Sequence, residues 1–114
     1  MKLSELNPEE QKVLMGLLRD VITADGDYSE VEKAEVAKLE NELGGDAFVA
    51  AMTAAKTEYT SRAKLKEAAK GVTREEARKT IFDRLIKVAS SDGVDDAEEK
   101  PLRWLAGAWP NAVS

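Results

Sequence analysis

Two short acidic stretches of the chain have the composition of a hard-cation site. The first is "TADGDYSEVE" (residues 23–32) and the second is "SSDGVDDAEE" (residues 90–99). Carboxylate oxygens concentrated in a turn suit calcium, magnesium or manganese. The chain contains no cysteine and no histidine, which excludes the softer ligands that structural zinc prefers. The candidate ligands are Asp25, Asp27 and Glu32 in the first stretch and Asp92, Asp95, Asp96 and Glu99 in the second.

The two acidic stretches share one design. A shift of 67 positions places Asp25 on Asp92 and Glu32 on Glu99. In each copy, an apolar helical segment is followed by Asp-Gly, then by a residue that can cap a helix, and then by a Glu. Backbone physics alone accounts for such a motif, because Asp-Gly suits a helix end and Ser or Asp suits the start of the next helix. Two interpretations therefore stay open, namely two ordinary helix hairpins or two ion-binding turns.

Neither acidic stretch matches an EF-hand loop. In the first, Glu30 stands at the sixth loop position, where glycine is needed, and Val36 stands at the twelfth, where a bidentate Glu is needed. In the second, Val94 and Arg103 stand at the third and twelfth positions, which call for oxygen ligands. An ion site here would need a different geometry.

The elements that must position these stretches are helices. Apolar residues recur at helical spacing, and β-branched and aromatic residues are few, so the sequence predicts an all-α fold. Residues 1–114 are expected to form a single domain, a bundle of about six helices with a repeated helix-turn-helix unit. The first two predicted helices are Pro8–Thr23, capped by Asn7, and Glu30–Leu43, capped by Ser29 with Glu32 and ended by Gly44 and Gly45. The third is capped by Asp46 and ends near Thr60 and Ser61, and the fourth is Arg62–Lys70, ended by Gly71. The fifth is capped by Thr73 with Glu76 and runs to about Ser90, and the sixth covers residues 97–109.

Pro101 complicates the last of these helices. A proline inside a helix removes a hydrogen bond and clashes with the preceding turn. The sequence therefore predicts either a separate turn at residues 97–100 or a helix that starts near Pro101.

Charge is distributed unevenly along the chain, whose net charge is -5. Residues 1–55 carry -7, residues 56–87 carry +5 and residues 88–114 carry -3. Acidic ends around a basic middle argue against nucleic acid as the main ligand and favour cations or basic protein surfaces. The basic middle is interpreted as a solvated helix face, with an acidic partner as the alternative.

The sequence indicates a cytoplasmic protein without a membrane span. No segment approaches the roughly 20 apolar residues of a spanning helix, and the N-terminus lacks the apolar run of a signal peptide. The absence of cysteine fits a reducing compartment. Without a glycine-rich phosphate loop, a nucleophile motif or histidine, the sequence predicts that the protein is not an enzyme.

Three aromatic residues are candidate contacts for a protein partner. Trp104 and Trp109 lie five residues apart, so they point about 140° apart on a helix. One is therefore expected to fill the core while the other is left for a partner, since tryptophan is favoured at binding hot spots. Tyr28, inside the first acidic stretch, is the third candidate.

The segment "LLRDVITADGDYSEVEKAEVAKL" resembles the TerB-like family, named for bacterial tellurite-resistance proteins. The resemblance covers residues 14–43 and extends to residues 77–100. It implies an all-helical fold with a repeated helix pair and a metal site on an acidic surface. The matching positions are Asp25, Ser29 and Glu32 in the first copy and Asp92, Asp96 and Glu99 in the second.

The function expected from these features is non-enzymatic. A TerB-like domain would bind a divalent cation through its two acidic stretches, in tellurite resistance or a general stress response, with a protein partner and in association with a membrane-bound complex. The alternative is an acidic interaction module, such as a small phage or toxin-system inhibitor, that docks on a basic partner surface.

Overall fold

The computed structural model describes residues 1–23, 30–89 and 96–112, and only the backbone of residues 96–101. The described residues form helices and no strands, so the predicted all-α fold is confirmed. Short 3-10 helices lie at Leu3–Glu5 and Pro110–Ala112. The six α-helices are α1 (Pro8–Thr23), α2 (Glu30–Leu43), α3 (Gly45–Glu58), α4 (Arg62–Lys70), α5 (Glu75–Ala89) and α6 (Asp96–Ala108).

Asn7 caps the start of α1, as predicted, and the cap is reciprocal. The Asn7 Oδ1 accepts a hydrogen bond from the Glu10 backbone N–H at 2.8 Å, and the Asn7 N–H donates to Glu10 Oε1 at 2.8 Å. Two backbone donors that the first helical turn cannot satisfy internally are thereby satisfied. Capping at this end fixes where the central helix of the bundle begins.

Two predicted caps were wrong. Helix α3 begins at Gly45, and Gly44, not Asp46, is its N-cap. Gly44 has a φ of +98°, a left-handed conformation that glycine adopts without strain, so it ends α2 and starts α3 at one residue. Helix α5 begins at Glu75, and the Arg74 carbonyl accepts from the Arg78 N–H at 3.0 Å, so the cap position is Arg74 and not Thr73.

Helix α6 is continuous through Pro101, which contradicts both alternatives for this segment. The helix starts at Asp96, so Pro101 is its sixth residue. The first four backbone N–H groups of a helix have no partner within it in any case. Pro101 stands just beyond those positions, so α6 continues with one backbone hydrogen bond missing, the one to the Ala97 carbonyl.

The core is organised around α1, which packs against α3, α4, α5 and α6. Most apolar residues of α1 and α5 are buried together, and the core also includes Leu3 and Leu6, which helical periodicity did not predict. Trp109 is fully buried and its indole N–H donates to the Ala69 carbonyl at 3.1 Å. The tryptophan thereby joins the end of α6 to the end of α4.

No helix within residues 1–23, 30–89 and 96–112 has both the length and the apolar character that crossing a membrane requires.

Helix α1 approaches the α3–α4 junction closely at Gly16. A Cβ at this position would lie 2.7 Å from Leu65 Cδ1 and 2.7 Å from Tyr59 Cδ2. Both distances are shorter than carbon atoms tolerate without contact strain. Glycine is therefore required here by the neighbouring side chains and not by backbone conformation.

Replacing Gly16 by alanine should destabilise the protein, even though alanine is the better helix former. The added methyl group forces Tyr59 and Leu65 to shift, and this overpacking outweighs the gain in helix propensity, leaving a net loss of about 1 kcal/mol. Chemical denaturation of Gly16→Ala measures the loss.

Gly107→Ala is the matched control. A Cβ at Gly107 in α6 would meet none of the described atoms within 4 Å. This variant should gain about 0.5–1 kcal/mol from helix propensity alone. A Gly16→Ala protein as stable as Gly107→Ala would contradict the close approach.

Candidate cation site

The described residues include only part of the predicted cation site. Asp96 and Glu99 lie in the first turns of α6, where the backbone alone is described. Five predicted residues lie outside the described ranges: Asp25, Asp27, Tyr28, Asp92 and Asp95. Their assignment as ligands or contacts stays a prediction. Among the described residues, no three aspartates or glutamates are grouped closely enough to hold a metal ion.

Glu32 is the one predicted ligand whose side chain is described, and it is buried. It is the third residue of α2 and only 2% of its surface is exposed, whereas Glu30 and Val31 beside it are exposed. A carboxylate removed from water to this degree needs donors or a positive charge close by to remain ionised. The sequence identified Glu32 as a capping residue, but its burial depends on how α2 packs.

The N-terminal ends of α1 and α5 are joined by an ion pair whose carboxylate is buried and whose guanidinium is partly exposed. The Arg74 guanidinium, just before α5, donates from Nε to Glu10 Oε2 at 2.8 Å and from Nη2 to Glu10 Oε1. Its Nη2 also donates to the Glu5 carbonyl at 3.3 Å. Glu10 is 3% exposed, so the fork of a guanidinium meets a carboxylate held in place by the α1 cap.

The N-terminal end of α5 also contacts the residues that follow the C-terminal end of α6. Arg78, in the first turn of α5, lies 5.7 Å from the ring centroid of Trp109, just beyond α6. Asn111, two residues further, donates to Glu75 at 3.2 Å. The start of α5 therefore lies beside the end of α6, which makes the two helices an antiparallel pair.

These contacts orient the helices that lead into the acidic stretches. Helices α1 and α5 pack against each other, have 16 and 15 residues, and are joined at their N-terminal ends. At 1.5 Å per residue they are about 24 and 22 Å long. Both therefore run in the same direction, so Thr23 and Ala89 point toward the same end of the bundle.

The pKa of Glu10 lies below its ordinary value. The cause is first the hydrogen bonding with the Arg74 guanidinium, which outweighs the opposing effect of burial, and then the Asn7 backbone N–H. The pairing of Glu10 with Arg74 was not predicted, because the two residues are 64 positions apart in sequence and periodicity carries no signal for such a pairing.

The two tryptophans divide as expected between core and surface. Trp109 is fully buried, so it has no surface to offer a partner, and its proposed contact role is corrected. Trp104 is half-buried, with the Lys66 ammonium 5.1 Å from its ring centroid. The candidate partner contact among the tryptophans is therefore Trp104.

The helix order and the common direction of α1 and α5 define an all-α domain in which two apolar helices each lead into an acidic stretch at one end. The sequence model of the family described as "Tellurite resistance protein TerB" matches residues 11–108 of this chain. The chain belongs to the TerB family. It has no match among curated proteins or among solved structures.

Removing Arg74 should cost stability in a pH-dependent way. A carboxyl group with a lowered folded-state pKa stabilises the fold fully above its unfolded pKa of about 4.3, and this contribution is lost as the pH falls through the folded-state pKa. The free energy of unfolding of Arg74→Met should therefore fall below that of the wild type at neutral pH, and the difference should shrink below about pH 4.

Arg84→Met is the control for this measurement. Arg84 pairs with Glu42 at 2.9 Å, but the Glu42 side chain is 40% exposed. A pair of this kind contributes about 0–1 kcal/mol. Equal and pH-independent losses for the two variants would show that the Arg74–Glu10 pair has no special weight.

Proposed function

We propose that this TerB domain binds one or more divalent cations, calcium, magnesium or manganese, through its two acidic stretches, without catalysing a reaction. The observation that carries the proposal is the common direction of α1 and α5. Thr23 and Ala89, the last residues of the two helices, lie at the same end of the bundle, and each is followed in sequence by an acidic stretch. Calcium takes about six to eight oxygen ligands, which two acidic stretches can supply together.

A non-enzymatic role in tellurite resistance or a general stress response, in the cytoplasm, completes the proposal. Its support is membership of a family that carries tellurite resistance in its description and is generally non-enzymatic. Without histidine or cysteine, the chain also has no imidazole base and no thiol nucleophile.

The alternative function is docking of the two acidic stretches on a basic protein surface. Val31, the second residue of α2, is 46% exposed and belongs to the first acidic stretch. An exposed apolar side chain among carboxylates suits a partner that combines basic and apolar groups. In this case the carboxylates act by charge alone, and binding weakens steadily as salt rises.

Isothermal titration distinguishes the two functions. The wild type should release or absorb heat on titration with calcium, magnesium or manganese, and Asp25→Asn with Asp92→Asn should remove that heat. Cation binding should also raise the melting temperature of the wild type by mass action.

The matched control is Asp46→Asn with Asp83→Asn, which makes the same change of charge at two exposed aspartates of α3 and α5. It should titrate like the wild type. If the heats of the wild type and of the Asp25 and Asp92 variant coincide for all three ions, the cation proposal is wrong and docking on a basic surface takes its place.

A further inference from the structure

A surface that carries lysine side chains lies where α4 meets Trp104 of α6. Lys66 of α4 lies over Trp104 of α6, and Ala69 accepts the indole hydrogen bond of Trp109. These two contacts place the second half of α4 beside Trp104 and Trp109. Lys70, one turn after Lys66, lies on the same face of α4.

The residues that α6 contributes to this surface are apolar or small. Trp104 and Ala108 are half-buried and lie one turn apart on α6. Gly107 between them is exposed, with no described atom within 4 Å of where its Cβ would be. We call these three residues, together with Lys66 and Lys70, the lysine–tryptophan face.

The lysines of this face are not neutralised within the described structure. Lys64, Lys66 and Lys70 form no ion pair with any described residue, although Glu67 stands three residues from two of them. At the start of the same helix, Arg62 does pair, with Asp20 of α1 at 2.8 Å. The i,i+3 and i,i+4 charge pairs expected of a solvated helix face are therefore not formed by the lysines of α4 with described residues.

We propose that the lysine–tryptophan face docks an acidic segment of another protein, which sets an apolar side chain against Trp104 and its carboxylates against Lys66 and Lys70. The charge on the face selects the occupant, because unneutralised ammonium groups around an aromatic residue complement carboxylates around an apolar anchor.

The same geometry disfavours the other anionic occupants. Nucleic-acid bases bind to tryptophan by stacking on an open ring face, but here the Lys66 ammonium covers one face of Trp104. Membrane surfaces need a wide apolar face, whereas α6 contributes one half-buried ring and two small residues here. A second copy of the chain carries a net charge of -5 and is repelled as a whole.

The two tryptophans provide a direct readout. Trp109 is fully buried and Trp104 is half-buried, so a collisional quencher in solution reaches Trp104. The probe is a synthetic amphipathic helical peptide with leucine on one face and glutamate on the other. It should bind the full chain, shield Trp104 from acrylamide and bind more weakly at high salt.

Charge reversal locates the surface. Lys66→Glu with Lys70→Glu should weaken peptide binding at least about tenfold. Lys79→Glu with Lys87→Glu is the control, because it makes the same charge change at two exposed lysines of α5 and should leave binding unchanged. Circular dichroism checks that each variant is folded.

The proposal fails under any of four results. The peptide does not bind at low salt, or the two charge-reversal variants weaken its binding equally. A single-stranded oligonucleotide or phosphatidylserine vesicles bind more tightly than the peptide and shield Trp104. Shielding of Trp104 rises with protein concentration alone, which would identify a second copy as the occupant.

Discussion

The direction of the two longest helices depends on the pairing of Arg74 with Glu10. Arg74 ends the α4–α5 connection and Glu10 belongs to the capped first turn of α1, so their ion pair sets the starts of α1 and α5 side by side. Because the two helices also pack against each other and have nearly the same length, their C-terminal ends lie at the same end of the bundle. The acidic stretches follow those ends.

The closure of the bundle depends on Trp109 in a similar way. Its ring is buried, its indole N–H is satisfied by the Ala69 carbonyl, and Arg78 lies against it. One side chain thus connects α4, α5 and the end of α6. The same contact places Trp104 beside Lys66, so the closure of the core also creates the lysine–tryptophan face.

In the fold, the basic residues of the segment 56–87 differ in whether they form ion pairs. The basic middle is not uniformly solvated, because Arg62, Arg74 and Arg84 are committed to ion pairs with earlier parts of the chain. The lysines of α4 remain unneutralised by described residues. In this basic middle, the arginines join elements through their planar guanidinium groups, whereas the lysines of α4, which are compact and strongly hydrated charges, do not.

Local sequence predicted the helices well, because their signals act within a few residues. The bounds of α1, α2 and α4 followed from Asn7, from the glycine pair and from Gly71. Predicted caps failed at Asp46 and Thr73, where neighbouring residues compete for the same role. Pro101 was misjudged because tolerance of a proline depends on its distance from the true helix start, which the sequence left open between two positions.

The sequence by itself determined the helical class, the TerB family and the chemistry of the acidic stretches, because periodicity, turn residues and a spaced motif are properties of the linear chain. Tertiary structure alone decided that Glu10 and Glu32 are buried, that Trp109 and not Trp104 fills the core, and that Arg74 joins two distant helices. Burial and ion pairing are set by which faces meet, and residues 64 positions apart meet only when the whole bundle is assembled.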